Sequence, residues 1–176
     1  MTSTKLTPGE TIPAVTTPKL EGGELDLSRP PEGYQWRLIV IYRGKHCPLC
    51  TNHLKKLNHQ LPEFRTLGVD VVAVSADSAV QAREQMKSVA PDFEVGYGLS
   101  VAQMRRLGLY ISTPLANTET DHPFAEPALF AINRKGELFV VDIANVPFSR
   151  PEPASILMGL KFILNPDNHY PIRGTH

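Results

Sequence analysis

The sequence predicts an α/β fold in which a central mixed β-sheet is flanked by helices, and three observations favour it. In the first half of the chain, apolar runs rich in Val and Ile alternate with amphipathic helical patterns, which is typical of β-α-β units with parallel strands. Capping-box pairs at Ser78–Gln81 and Ser100–Gln103 mark two helix starts. In the second half, two apolar runs joined by Asn133–Gly136 predict an antiparallel hairpin before a last helix. The order β-α-β-α, then β-β-α, therefore combines parallel and antiparallel strands.

The N-terminal segment is expected to form a small β-hairpin ahead of the main sheet. Residues 1–36 are rich in Pro, Gly and Thr, and the short runs 15–20 and 24–27 flank Gly22-Gly23. A glycine pair between two such runs is a hairpin signal, because glycine adopts the positive φ angles that tight turns need. The α/β fold is thus predicted to carry an N-terminal β-hairpin extension.

A buried strand followed directly by a helix forms the centre of the predicted fold. The apolar, β-branched run Leu38–Tyr42 predicts the strand. The apolar spacing from Cys50 through Leu54 to Leu61 predicts the buried face of the helix. Pro48 suits the first helical position, where a missing backbone N–H costs nothing.

The remaining elements follow the same patterns. The first helix is predicted to end near residue 65, and a strand over 69–74 and helices opening at 78 and 100 follow it. After a loop over 109–126 come strands over 127–132 and 137–143, and then a helix from a third capping box, Ser149–Glu152, to about Leu164. Loops as long as 109–126 are often lids or insertions. No internal repeat or linker divides the chain, so residues 1–176 are predicted to form a single domain.

Both cysteines of the chain, Cys47 and Cys50, lie in the motif Cys-Pro-Leu-Cys where the strand turns into the helix. Cys47 is the predicted N-cap, so its sulfur lies beside free backbone N–H groups and the positive end of the helix dipole. That position lowers the pKa of a thiol and favours the reactive thiolate. Cys50 lies one turn later on the same side of the helix, so a disulfide between the two can open and close with little backbone movement.

Basic residues surround the motif. Residues 33–62 contain no acid, whereas they contain five Lys and Arg side chains. Three charged or ionisable residues lie next to the first cysteine, namely Arg43, Lys45 and His46. We therefore expect these side chains to stabilise a thiolate and to attract anions.

The composition argues against several classes of function. The formal net charge is zero, without a basic tail or an acidic block, which gives no support for nucleic-acid binding or a polybasic membrane anchor. No apolar run approaches the length of a membrane span, and residues 1–15 lack the apolar core of a signal peptide. The protein is therefore expected to be soluble and cytoplasmic, with no nucleic-acid or membrane partner. In that reducing compartment, a C-x-x-C near a β-α-β pattern indicates redox or metal chemistry.

Metal binding is one alternative for the motif. His46, Cys47, Cys50 and His53 offer sulfur and nitrogen ligands. A structural zinc site usually takes four ligands, often from two separated pairs, and the chain has no second C-x-x-C. Redox chemistry without a bound metal or cofactor is therefore favoured, and His53 and His59 are expected to be solvated helix residues.

The sequence also resembles a known family. LTPGETIPAVTTPKLEGGELDLS is similar to the Pro-containing lead and N-terminal hairpin of peroxiredoxins, and RLIVIYRG to the strand before their reactive cysteine. The motif YRGKHCPLC is similar to that of peroxiredoxin-like proteins with a thioredoxin-style C-x-x-C. Over roughly residues 7–164 the chain thus resembles the alkyl hydroperoxide reductase/thiol-specific antioxidant (AhpC/TSA) branch of the thioredoxin superfamily. The resemblance implies a thioredoxin-like fold.

The resemblance also implies roles for individual residues. Cys47 would be the nucleophile that reduces a hydroperoxide, and Cys50 would resolve the product as an intramolecular disulfide. Pro127 opens the strand PALFAI where a cis-proline packs against the dithiol in thioredoxin-like proteins, so a cis bond at the site is expected. Glu126, just before it, is expected to be an exposed loop carboxylate, and Arg150 is a minor candidate to face the site.

Two positions depart from the family pattern. Peroxiredoxins usually carry Thr or Ser three residues before the reactive cysteine, where this chain has Gly44. They also carry an Arg near the strand that Pro127 opens, and residues 124–129 contain none; Arg43 and Lys45 are the candidate replacements. Both departures favour an alternative function, a thioredoxin-like protein-disulfide reductase that uses the same C-x-x-C. A non-catalytic metal carrier or redox sensor is the third hypothesis.

The preferred function is a thiol-dependent antioxidant oxidoreductase. Its substrate would be a peroxide or a disulfide, and an external dithiol reductant, thioredoxin- or glutaredoxin-like, would restore the thiols. No cofactor is required. Because many relatives are dimers, a homodimer is also considered, with Leu109, Tyr110 and Phe124 as candidates for exposed apolar contacts.

Overall fold

The computed structural model describes residues 5–176. Its strands are β1 (Thr16–Pro18), β2 (Glu24–Asp26), β3 (Trp36–Ile41), β4 (Val69–Val74), β5 (Glu94–Gly96), β6 (Ile111–Ser112), β7 (Phe124–Ala125), β8 (Ala128–Asn133) and β9 (Leu138–Ile143). Its α-helices are α1 (Pro48–Thr66), α2 (Ala79–Val89), α3 (Val101–Arg106) and α4 (Pro153–Leu164), and a 3₁₀ turn follows at Pro166–Asn168. Within this part of the chain, no helix is long and apolar enough to cross a membrane.

The central sheet has five strands in the order β5-β4-β3-β8-β9. β3 lies in the middle and pairs in parallel with β4 and antiparallel with β8, so that Leu38 lies between Val71 and Ala131. The mixed sheet predicted from the sequence is therefore confirmed. Because α1 follows β3 directly in the chain, the helix starts at the carboxyl end of the central strand.

Two apolar clusters, one on each face of the sheet, hold the layers together. On one face α1, α2 and α4 cover the strands, and Leu54, Leu57 and Phe64 of α1 are buried there. On the other face the N-terminal segment and α3 pack against Ile39 and Ile41. β3 is thus buried on both faces, which explains its unbroken apolar sequence. Each such buried side chain contributes about 1.5–3 kcal/mol.

The N-terminal hairpin is confirmed. β1 and β2 pair antiparallel with Thr17 opposite Leu25, and Leu25 and Leu27 are buried against the sheet. The hairpin approaches β5 so closely that a Cβ at Gly96 would lie 2.5 Å from the Thr17 Oγ1. Glycine at that position therefore permits the contact between the extension and the edge of the sheet.

Residues 109–126 are more ordered than the predicted loop. β6 and β7 pair antiparallel, with Ile111 opposite Ala125, and join the two ends of the segment. Leu109 and Phe124 are buried, which contradicts the expected exposure of both, whereas Tyr110 is 57% exposed. Two-residue strands are too short to display an alternating pattern in the sequence, and the three-residue edge strand β5 escapes prediction for the same reason.

The prediction of a third capping box at Ser149–Glu152 is also wrong. α4 begins at Pro153 with Glu152 as its N-cap, and no side chain caps it. A residue that precedes proline is disfavoured in helical conformation, and both Arg150 and Glu152 precede prolines. The chain therefore stays extended through Glu152, at φ −67° and ψ 144°, and the helix starts at the second proline.

Candidate active site at the start of helix α1

The Cys-Pro-Leu-Cys motif forms the junction between β3 and α1. Cys47 is the N-cap, with extended backbone angles of φ −109° and ψ 100°, and Pro48 is the first helical residue, as predicted. The backbone N–H of Cys50 donates to the Cys47 Sγ at 3.2 Å. Both thiols are free and buried. The motif is therefore a reduced dithiol beneath the surface, with one sulfur at the helix N-terminus.

The surroundings of Cys47 favour its thiolate form. Its pKa is lowered to about 6, first because the Cys50 thiol donates a hydrogen bond to its sulfur. The Cys50 backbone N–H, the Arg43 side chain and the positive charge of Arg150 act in the same direction, while burial opposes them. At neutral pH the Cys47 sulfur is thus mostly ionised.

Cys50 has the opposite tendency. Its pKa is raised, chiefly because its proton is shared with the Cys47 sulfur, and burial adds to the effect. The charge of Arg150 and the backbone N–H of Arg43 partly offset this rise. The pair therefore holds one proton, on Cys50. Cys47 is the thiolate nucleophile, and Cys50 remains a thiol.

Arg43 lies beside Cys47 and is fixed by two acids. Its Nε lies 3.1 Å from Glu126 Oε2 and its Nη2 lies 3.4 Å from Glu119 Oε1. Its guanidinium also lies over the Phe124 ring, 4.8 Å from the centroid. Glu126, predicted to be exposed, is only 5% exposed, and its other oxygen accepts from Ser112 Oγ at 2.6 Å. The β6–β7 hairpin brings this hydroxyl to the carboxylate and buries it.

Gly44 has no room for the Thr or Ser of the family pattern. Its φ is +133°, which L side chains rarely adopt, and a Cβ there would lie 2.5 Å from Asp77 Oδ1. The buried Asp77 accepts from the backbone N–H of Lys45 through Oδ2 at 2.7 Å. A carboxylate from the loop after β4 therefore occupies the space of the missing hydroxyl side chain.

Asp77 and Gln85, the two side chains that hold the loop around Gly44, were not predicted as site residues. Gln85 lies in α2 and donates through Nε2 to the Gly44 carbonyl at 3.1 Å and to Thr51 Oγ1 at 3.0 Å. Burial raises the pKa of Asp77. The one sequence signal for Asp77 is its position after β4, because the carboxyl ends of adjacent parallel strands meet at the same edge of a sheet.

Lys45 and His46 differ in their relation to the thiols. Lys45 is exposed and contributes its backbone N–H to the loop. His46 is half-buried and packs on Phe124, with ring centroids 4.4 Å apart. Burial and the nearby charge of Arg43 lower the pKa of His46, so it is neutral at pH 7. The cations near the dithiol are therefore the two arginines, Arg43 and Arg150.

His53 is not the solvated residue that was expected. It is buried, and its Nε2 donates to the Pro151 carbonyl at 2.9 Å. Burial, together with the charge of Arg150, lowers the pKa of His53 to about 4. Over residues 5–176, no three His, Cys, Asp or Glu side chains converge in a metal-binding arrangement, so His46, Cys47, Cys50 and His53 do not form a ligand set.

Pro127 is in the trans form, which corrects the expected cis bond; residues 5–176 contain no cis peptide. Its carbonyl accepts from the Ala144 backbone N–H at 2.9 Å and extends the pairing of β8 with β9. The trans form is also the more stable one for most prolyl bonds. Pro127 is buried at the start of β8, immediately after Glu126.

Two surface cavities, each of about 470 Å³, adjoin the motif. One is lined by His46 and residues 117–121 among others, and its walls are largely polar. The other is lined by Leu49, Phe148 and Arg150 among others, and the first two side chains are 48% and 78% exposed. A polar cavity and a partly apolar cavity thus lie beside the motif, and neither is lined by Cys47 or Cys50.

With this geometry, comparison with known proteins decides the family. The AhpC/TSA family profile matches residues 8–141, more than half of the chain. The chain belongs to the AhpC/TSA family. Two curated Mycobacterium tuberculosis proteins, provisionally assigned as peroxiredoxins, are each 32% identical over 77 residues. The match spans 43% of this chain and 46% of each relative, so it covers less than half of either protein.

Solved structures of peroxiredoxins share the fold. A cysteine-to-serine variant of peroxiredoxin 6 from Arenicola marina superposes with a TM-score of 0.75 at 19% identity, over 90% of this chain and 74% of that one. The mitochondrial 2-Cys peroxiredoxin of Plasmodium falciparum gives 0.72 at 17% identity, over 91% and 95%. At these identities the likeness establishes the fold alone, and the predicted thioredoxin-like fold is confirmed.

Proposed function

We propose that the protein is a thiol peroxidase of the AhpC/TSA family. Cys47 would be the nucleophile, Cys50 the resolving residue, and a hydroperoxide the substrate. The observation that carries the proposal is the Cys47 thiolate, held at the N-cap of α1 with the Cys50 thiol donating to it. A low-pKa thiol at a helix N-terminus is the arrangement that nucleophilic cysteine chemistry requires.

The first step would oxidise Cys47. Its thiolate attacks the terminal oxygen of the hydroperoxide ROOH, and the O–O bond breaks. Cys47 becomes a sulfenic acid, and the alkoxide leaves and takes a proton from solvent to give ROH. Arg43, whose side chain lowers the pKa of Cys47, would be the cation that binds the peroxide oxygens.

The second step would form the disulfide. The Cys50 sulfur attacks the sulfur of the sulfenic acid, the Cys47 S–O bond breaks, and water leaves with the Cys50 proton. An external dithiol, thioredoxin- or glutaredoxin-like, would then reduce the Cys47–Cys50 disulfide by exchange. The helical spacing of the two residues supports an intramolecular bond with little backbone movement.

A protein-disulfide reductase is the second candidate function, and two observations favour it. Position 44, where peroxiredoxins usually carry Thr or Ser, is glycine here, and Asp77 fills the space beside it. No hydroxyl side chain from that position can therefore contact a peroxide. The cavity beside Arg150 includes exposed Leu49 and Phe148, which suits an extended polypeptide better than a small peroxide.

The experiment that separates the two functions is the reaction of the fully reduced protein with hydrogen peroxide at pH 7, followed by thiol loss. Only a few per cent of a free cysteine is ionised at that pH, so full ionisation alone would raise the rate about 30-fold. We expect a second-order rate well above that gain, abolished in Cys47→Ser and retained for one turnover in Cys50→Ser.

A rate no higher than ionisation explains would contradict the peroxidase proposal. Reduction of insulin disulfides by the same preparation would then support the reductase. The two Cys→Ser variants serve as matched controls in both assays, because each removes one sulfur at the same helix turn.

A further inference from the structure

Arg150 is the charged side chain that contacts Cys50, and the proposed mechanism does not use it. It lies in the segment between β9 and α4, and its Nη1 donates to the Cys50 Sγ at 3.4 Å. Its Nη2 is buried and has no hydrogen-bond partner within residues 5–176. In the same part of the chain no carboxylate pairs with it, whereas Arg43 is paired with two glutamates. The positive charge of Arg150 is thus the less neutralised of the two.

The segment that carries Arg150 is bonded to α1 at the two residues that follow Arg150, Pro151 and Glu152. His53 donates to the Pro151 carbonyl at 2.9 Å, and Lys56 donates to Glu152 Oε2 at 2.8 Å. Pro151 itself restricts the backbone of the residue before it. The guanidinium therefore has a defined position over the Cys50 sulfur, and it also forms part of the wall of the neighbouring cavity.

The chemistry of Cys50 requires such a group. To attack an oxidised Cys47, the Cys50 sulfur must become anionic while it is fully buried. Two donors face that sulfur, the backbone N–H of Arg43 and the guanidinium of Arg150, and only the second carries a charge. A buried anion without a charged partner is strongly disfavoured.

We propose that Arg150 is a catalytic residue of the resolving step, in which its guanidinium stabilises the Cys50 thiolate that attacks oxidised Cys47. The Cys50 thiolate forms the S–S bond as the bond from Cys47 to its leaving group breaks. The leaving group takes the electron pair and the proton that Cys50 has released, and it departs as water from a sulfenic acid or as a thiol from a mixed disulfide.

A disulfide probe tests this role separately from peroxidase activity. 4,4′-Dithiodipyridine is uncharged at neutral pH and releases one thiopyridone when Cys47 attacks it and a second when Cys50 attacks the resulting mixed disulfide. The inference rests on the proposed exchange between Cys47 and Cys50. Because the probe contains no peroxide, a protein that lacks peroxidase activity would still give both releases.

The variants are Arg150→Met and Arg150→Lys, with Arg134→Met as a matched control at the exposed β8–β9 turn. In Arg150→Met we expect the first release to stay within about threefold of the wild type. We expect the second to slow by about 10- to 100-fold, as a hydrogen bond to a charged group is lost. Arg150→Lys should recover part of the rate, and Arg134→Met should change neither release.

The pH profile of the second release distinguishes stabilisation of an anion from a structural effect. The groups that face Cys50 are Cys47 at the N-cap, Tyr42 after β3, the Arg43 backbone and Arg150. Loss of the only charged donor among them should move the midpoint of this release to higher pH. An unchanged second release in Arg150→Met, an equal slowing of both releases, or an unshifted midpoint would each overturn the proposal.

Discussion

Cys47 and Cys50 are the same residue type one helical turn apart, yet their pKa values move in opposite directions. The shared proton, the free N–H groups at the helix start and the nearby Arg43 lower the pKa of Cys47, and the same hydrogen bond with burial raises that of Cys50. The N-cap position of Cys47 could be predicted from the sequence, because Pro48 and the apolar spacing of α1 are local signals. Which of the two cysteines donates the S–H···S hydrogen bond could not be predicted, since it depends on packing.

The pH dependence of alkylation tests this assignment. With iodoacetamide, which is uncharged, we expect the rate at Cys47 to rise with a midpoint near pH 6, because only the thiolate reacts and its pKa is lowered to that value. The rate should fall as pH drops through the midpoint. In Cys50→Ala the midpoint should move upward, because the donated hydrogen bond is lost. A wild-type midpoint near that of a free thiol, about 8.5, would contradict the assignment.

A second prediction concerns Gly44. Restoring the family residue by Gly44→Thr should destabilise the protein, because the new Cβ would meet the Asp77 carboxylate and the φ of +133° is strained for any other residue. Strain of this kind costs about 1–3 kcal/mol, and the contact adds to it. Urea unfolding measures the difference. Gly22→Ala in the open β1–β2 turn is the control for positive φ without a contact, and a Gly44→Thr variant as stable as this control would refute the steric argument.

At the scale of elements, local signals succeed where the contacts that they describe are local. The capping boxes at Ser78 and Ser100 are both formed, with each serine and its glutamine bonding to the other's backbone. The third box failed because two prolines keep the chain extended before α4. The β6–β7 hairpin left no alternating pattern in the sequence, and with it the burial of Glu126 went unpredicted.

His53 lies where α1 meets the segment before α4, and its burial and the charge of Arg150 favour the neutral imidazole there. Since its pKa is lowered to about 4 in the folded protein, the unfolded chain binds the proton more tightly between pH 4 and about 6.5. The stability that this residue contributes is thus complete above pH 6.5 and lost as pH falls toward 4. We expect the free energy of unfolding of the wild type, measured in urea, to fall by up to about 3 kcal/mol between pH 6.5 and pH 4 because of His53.

His53→Gln should weaken that pH dependence while lowering stability at pH 7, because the contact with the Pro151 carbonyl changes. His59→Gln, on the exposed side of the same helix, is the matched control and should retain the wild-type slope. Equal slopes in the wild type and His53→Gln would show that His53 does not carry the effect.

At the scale of the whole molecule, the site gathers groups from four separate segments. Arg43 follows β3, Asp77 follows β4, Glu126 precedes β8 and Arg150 follows β9. The mixed sheet brings these strand ends to one edge, so the dithiol could be located from the sequence, whereas most of its surroundings could not. Patterns in the sequence report on neighbours along a helix or strand, and these contacts join residues far apart in the chain.

The fold and the site carry different conclusions. A shared fold at 17–19% identity says little about chemistry, because one fold supports many functions. The function proposed for this protein therefore depends on the dithiol and the charges around it. Its central claim is that a peroxide oxidises Cys47 first and that Cys50 acts only afterwards.

The most direct test is to trap the first oxidised product. Cys50→Ser would be treated with one equivalent of hydrogen peroxide in the presence of dimedone, which labels sulfenic acids, and the labelled peptide identified by mass spectrometry. We expect label on Cys47 in this variant, a Cys47–Cys50 disulfide without label in the wild type, and no label on Cys50 in Cys47→Ser. Label on Cys50 in Cys47→Ser, or none on Cys47 in Cys50→Ser, would contradict the central claim.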